Sequence, residues 1–183
     1  STGVPLIGCD CEVCTSSDPK NKRLRTSIKI SSATTTVVID TTPDFRYQML
    51  RTNTTKIDAV VFTHPHRDHY AGLDDIRPFN FFSNKSMPIY ANILTQIAIK
   101  RDFYYAFADK KYPGVPALEL HIKQNELFSI GKVRELSKFW NSFGIHVRER
   151  ITERKLCNFV STGNMHKVFH EHLKPDGMGL DYS

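Results

Sequence analysis

The chain has 183 residues, of which 24% are charged and 40% hydrophobic, and carries a net charge of +6. That is enough for one domain with a real core, in an ordinary soluble composition; no apolar run approaches the roughly 20 residues that span a bilayer, and no charged n-region leads into an apolar h-region as in a signal peptide. The basic balance suits an anionic substrate, but Lys and Arg are scattered apart from short clusters at 20–25 and 148–150, so no specific nucleic-acid partner is expected.

The chain opens at Ser1-Thr2-Gly3 without a Met, which suggests a missing or processed N-terminus. Gly3-Val4-Pro5-Leu6-Ile7-Gly8-Cys9-Asp10-Cys11-Glu12-Val13-Cys14 follows, with three cysteines at C-x-C-x-x-C spacing. They are too close for comfortable disulfides among themselves, and one would be left over. Thiolates packed this way suit one soft metal, zinc in a closed structural site. That argues for a reducing, cytoplasmic setting. The fourth donor is sought in Cys157 or in the C-terminal histidines His166, His170 and His172.

Leu24 to Asp40 reads as a hairpin: Thr26–Ile30 alternates, Ser31–Ala33 turns, and Thr34–Asp40 is β-branched. Asp44 is placed to cap a helix that begins at Phe45. Ile57-Asp58-Ala59-Val60-Val61-Phe62 then reads as a buried strand. It runs directly into Thr63-His64-Pro65-His66-Arg67-Asp68-His69, three imidazoles and a carboxylate within six residues. Neutral imidazole and carboxylate are the usual ligands of zinc, manganese and iron. In an extended loop His64 and His66 face the same way and can grip one ion. Asp68 and His69 follow once the chain has turned and can face a second. The helix behind the site is expected to begin at Ala71. The spacing alone points to a metal site and no further.

His64-Pro65-His66-Arg67-Asp68-His69, after a strand and before Gly72, resembles the HxHxDH signature of the metallo-β-lactamase superfamily. The resemblance implies an α/β fold, the αββα sandwich. It also implies two divalent ions, zinc or manganese, with His64 and His66 on the first and Asp68 and His69 on the second. Asp68 would then both ligate and orient a metal-activated hydroxide, as the catalytic residue. The GVPxxGCxCxVC stretch looks like the branch containing the phosphoribosyl cyclic phosphate phosphodiesterases. There three such cysteines share a structural zinc with a late histidine, which makes His166 the first choice here. The same resemblance places Asp40 and Asp44 near the site, as supporting or substrate-side groups. A strand that precedes the cysteine motif in relatives looks cut off.

Met87–Tyr90 reads as a short strand, and Asn92–Arg101 as an amphipathic helix with Ile93, Ile97 and Lys100 on one face. The aromatic, Pro-punctuated stretch 101–116 reads equally as a lid or dimer patch and as core. Leu118–Ile122 and Phe128–Val133 read as strands. Past Val133 the family pattern fails. No clean strand ends in a histidine, no Thr-Asp strand end follows, and His166, His170 and His172 lack the expected HxxH spacing. The expectation is therefore an incomplete sandwich: 1–133 as its N-terminal part, and 134–183 as a divergent, out-of-frame or rearranged tail. Functionally it is expected to be a metal-dependent phosphodiesterase for a small, anionic, cyclic phosphodiester, with a homodimer as one assembly open to it; the alternative is a catalytically inactive metal-binding fragment of one.

Overall fold

Strands form where branched side chains cluster, because these pack well on a pleated surface. The structure, a computed structural model, describes residues 2–122 and the backbone of 128–130 and 133–136. β1 (Ile28–Ser31) and β2 (Thr36–Ile39) make the expected antiparallel hairpin, with Ile28 opposite Ile39. Ser31 belongs to the first strand, opposite Thr36, and the turn falls at 32–35. β3 (Ala59–Val61), β4 (Met87–Ala91) and β5 (Leu118–Ile122) add on in parallel, in the spatial order β1-β2-β3-β4-β5.

The crossovers are helical. After the single turn α1 (Glu12–Thr15), α2 (Phe45–Arg51) joins β2 to β3. α3 (Arg67–Tyr70), a 3-10 turn at Leu73–Ile76 and α4 (Arg77–Ser83) join β3 to β4. α5 (Ile93–Asp102) and α6 (Tyr104–Phe107) join β4 to β5. Parallel crossovers share one hand, so a strand order that advances in one direction sends them to the same face. The core lies there: Val38, Val60, Phe62 and Ile89 of the sheet side pack with Phe45, Leu73, Ile76 and Ile99, all fully buried. Burying each such side chain stabilises the fold by about 1.5–3 kcal/mol. No helix among the described residues is long and apolar enough to cross a membrane.

Four expectations need correction. The helix behind the histidine loop begins at Arg67, not Ala71, so it carries Asp68 and His69 within it. The Asp44 side chain does not cap α2; it accepts from the Arg25 backbone N–H (2.8 Å) and from Arg25 Nη1 (3.1 Å). α5 is turned against its apolar pattern. Ile93 and Ile97 are exposed, whereas Thr95, Gln96, Ala98 and Ile99 are buried. The reason for Gln96 is visible: its Nε2 donates to the carbonyls of Ala91 (3.1 Å) and His121 (2.8 Å), at the ends of β4 and β5. Finally, the single strand expected over Phe128–Val133 is two: β6 (Phe128–Ile130) pairs antiparallel with β7 (Val133–Leu136).

In the aromatic stretch, Phe103 and Ala106 are buried, while Tyr104 and Tyr112 are exposed. The proposed tail, apart from the backbone of 134–136, lies outside the described residues, as do Cys157, His166, His170 and His172. Apart from the five-stranded sheet, the described elements include one further pair, the two-stranded sheet β6-β7.

Candidate metal centres

Ligand sites of parallel α/β sheets sit outside the carboxyl ends of the strands. Here β2 runs directly into Asp40, and β3 leads through Phe62 into Thr63 and the histidine loop. Asp40 takes a left-handed conformation, φ +63°, which Asp and Asn tolerate better than other side chains. Its carboxylate is 4% exposed and has three donors. Oδ1 accepts the Thr63 N–H at 2.9 Å, and Oδ2 accepts Thr63 Oγ1 at 2.7 Å and His69 Nδ1 at 2.8 Å. A buried carboxylate satisfied this fully is a rigid anchor.

From that anchor the direction of the neighbouring hydrogen bonds follows. Asp40 Oδ2 accepts from His69 Nδ1–H, and His69 Nε2 lies 3.4 Å from Asp68 Oδ2. Thr63 spends its hydroxyl proton on Asp40 and so accepts from His64 Nδ1 at 2.8 Å. That leaves His64 Nε2 as the acceptor for His66 Nδ1 at 3.0 Å. Burial first, then the neighbouring His69 ring, hold His64 below the usual imidazole range and so favour its neutral form. The rings of His64 and His69 lie 4.0 Å apart, centre to centre.

The structure thus brings His64, His66, Asp68 and His69 together at one sheet edge, with Asp40 behind them. Their donor atoms meet in pairs, His64 with His66 and His69 with Asp68; among the described residues only the cysteines bring three donors within 4.8 Å of one another. Asp44 is not part of this group; Arg25 occupies its carboxylate. Thr63 is part of it and was given no role from sequence, although it stands directly before the motif. Gly72 closes the loop from behind: its N–H donates to Thr41 O at 2.9 Å, and a Cβ there would lie 2.1 Å from Thr42 O. Only glycine allows the two loops to approach so closely.

The cysteines form a second cluster. Cys9, Cys11 and Cys14 place their donor sulfurs within 4.8 Å of one another. Tetrahedral zinc with Zn–S of about 2.3 Å needs sulfurs roughly 3.8 Å apart, so the set suits that ion. The x-x before Cys14 is the start of α1, which turns the third thiol back toward the others. All three are free of disulfides, and Cys14 is buried. The backbone of Cys14, then the Cys9 and Cys14 thiols, lower Cys11 to about 7, close to the thiolate a metal requires. Two reciprocal backbone bonds between Val4 and Arg23 (2.7 and 2.8 Å) close the base of this segment.

The beta-lactamase superfamily domain matches residues 35–170. The crystal structure of a diphosphatase from the PhnP family is 43% identical, with a TM-score of 0.65 over 73% of this chain and 50% of that one. Zinc-bound PqqB from Methylobacterium extorquens shares the fold at 20% identity and a TM-score of 0.57, again over 73% of this chain and 50% of its own. A Porphyromonas gingivalis protein named octanoyltransferase is 42% identical over 121 residues, 66% of this chain and 24% of that protein. The chain therefore spans half of these solved structures and about a quarter of that curated relative. With the domain match running through most of its length, the chain belongs to the metallo-β-lactamase superfamily.

Proposed function

We propose that this chain supplies the first-half metal ligands of a phosphoester hydrolase, with a small anionic phosphodiester, cyclic in the simplest case, as substrate. The observation that carries the reading is the pairing of three imidazoles with Asp68 and the Asp40 anchor at the carboxyl ends of β2 and β3. The 43% identity to a diphosphatase supports the phosphoryl class. The acyl-transfer name belongs to a protein of which this chain matches 24%.

The donor set, borderline nitrogen and hard oxygen, fits zinc or manganese. Bound divalent ions would supply an acidified water and neutralise charge on the phosphoryl oxygens. His64 and His66 would hold one ion, and Asp68 and His69 the other. Asp40 orients His69, and through Thr63 His64, so that Nε2 of each would be the ligand atom. Asp68 would also orient the attacking oxygen. Cys9, Cys11 and Cys14 would hold a separate structural zinc, with His166 as the proposed fourth donor.

A second reading is a metal-binding protein without turnover. It is favoured by the donor arrangement: among the described residues only the three cysteines bring three donors within 4.8 Å of one another. Metal analysis together with turnover of bis(p-nitrophenyl) phosphate separates the two. Activity in the parent, lost in His66→Ala and Asp68→Ala with reduced metal content, supports the hydrolase. Full turnover in either variant removes it. A parent that holds about one zinc per chain and hydrolyses nothing favours the second reading.

A further inference from the structure

α3 is four residues long, Arg67–Tyr70, and its two middle residues are Asp68 and His69. A single helical turn does not hold its own shape in water. Something else must fix it, and the structure shows what does. Asp102, the last residue of α5, points one carboxylate oxygen at both ends of α3. Its Oδ2 accepts Arg67 Nη1 at 3.0 Å and the Tyr70 hydroxyl at 2.7 Å. Its Oδ1 accepts Arg101 Nε at 2.6 Å, so neither oxygen lacks a donor. The Asp102 side chain is 11% exposed, and Tyr70 is 1% exposed. One turn further on, a second link runs the opposite way. The Tyr105 hydroxyl of α6 donates to the Asp74 carboxylate, 2.8 Å from each oxygen. Residues 102–105 thus hold residues 67–74 at three points.

We infer that Asp102 is a positioning residue for Asp68 and His69, setting the turn that carries them by gripping it at both ends. The inference rests on the proposed metal-binding role of those two residues. It also assigns a purpose to the aromatic stretch after α5: Phe103 and Tyr105 buttress the ligand turn from behind.

The test uses the full chain titrated with cobalt(II). Thiolate coordination at the cysteines gives a near-ultraviolet charge-transfer band. Both centres give visible ligand-field bands, so the imidazole and carboxylate centre is read from visible absorption that grows without a matching rise in the charge-transfer band. Asp102→Asn keeps the shape but weakens the acceptor. Tyr70→Phe keeps the buried ring and removes one donor, so a variant that fails to fold does not decide the matter by itself. The expected result is a loss of about 10-fold or more in cobalt affinity at the imidazole site. The visible band should change shape, while the thiolate titration stays as in the parent. Unchanged visible bands and affinity in both variants would overturn the positioning role and leave the metal site standing. A parent whose visible absorption rises only in step with the thiolate charge-transfer band would overturn both.

Discussion

Replacing Gly72 by alanine tests the closest approach in the molecule. The backbone there is at φ −85°, so alanine meets no conformational penalty and the effect is purely steric. The added Cβ would lie 2.1 Å from Thr42 O, 2.8 Å from Phe45 Cβ and 3.2 Å from Thr41 O. Cβ contacts do not fall below 3.0 Å, so the 41–42 loop must retreat by about 1 Å, the gap between those two figures. Thr42 O is backbone and cannot rotate away. The retreat stretches the Gly72 N–H bond to Thr41 O and drags Asp40, one residue earlier, off His69. Overpacking of about 1–3 kcal/mol plus about 1 kcal/mol for the weakened hydrogen bond gives a loss of about 2–4 kcal/mol. At about 2–4 °C per kcal/mol for a chain of this size, the melting temperature should fall by roughly 5–15 °C. Thermal melts followed by circular dichroism measure it. Gly114→Ala is the comparison: its φ is +92° and nothing lies within 4 Å of the new Cβ, so it should cost only the left-handed penalty of about 1–2 kcal/mol. A Gly72→Ala protein that melts within about 2 °C of the parent would refute the close-approach argument.

Thr95 offers a gain. Its hydroxyl is buried without a hydrogen-bond partner, so Thr95→Val, equal in shape, should raise the unfolding free energy by about 1 kcal/mol in urea titration, and a loss would mean that the hydroxyl has a partner. Asp40→Asn should weaken metal binding about 10-fold by calorimetry while leaving the far-ultraviolet spectrum unchanged, because an amide cannot accept from Thr63 and His69 on both oxygens at once. Asp102 predicts a pH dependence. The Arg101 guanidinium first, then the Tyr70 hydroxyl, hold its carboxyl at about 2 against an ordinary 3.8. A lowered acid pKa contributes stability that is full above the ordinary value and is lost as pH falls through the folded one. The urea midpoints of parent and Asp102→Asn should therefore differ at pH 7 and converge between pH 3.8 and about 2; a gap that persists at the acid end would show that the contact does not depend on charge.

The strands and the histidine loop were legible because local pattern decides them. A β-branched run ending in HxHxDH needs no distant partner to be read. What escaped reading came from residues far apart in sequence. The resemblance placed Asp40 near the site but not its partner: it reaches His69 across 29 positions, and Asp102, unmarked in the sequence, reaches Tyr70 across 32. Asp44 looked like a cap because its position was right, but Arg25, 19 residues earlier, claimed its carboxylate. α5 was misread for a different reason. Its apolar residues sit on both sides, and the carbonyls of Ala91 and His121 drew Gln96 inward, reversing the face that Ile93 and Ile97 marked as buried.

The spatial order of the sheet is also the order of synthesis. Each strand from β2 onward pairs with the one made just before it, and each crossover packs on the layer already laid down. A chain leaving the ribosome at about 5–20 residues per second can add one unit at a time, without waiting for a distant strand to close the layer. Asp40, the histidine loop and Asp102 all lie before Tyr105 in the chain, so the candidate centre and its supports are translated as one continuous block. Its geometry can be set before β5 emerges, whatever the later residues contribute.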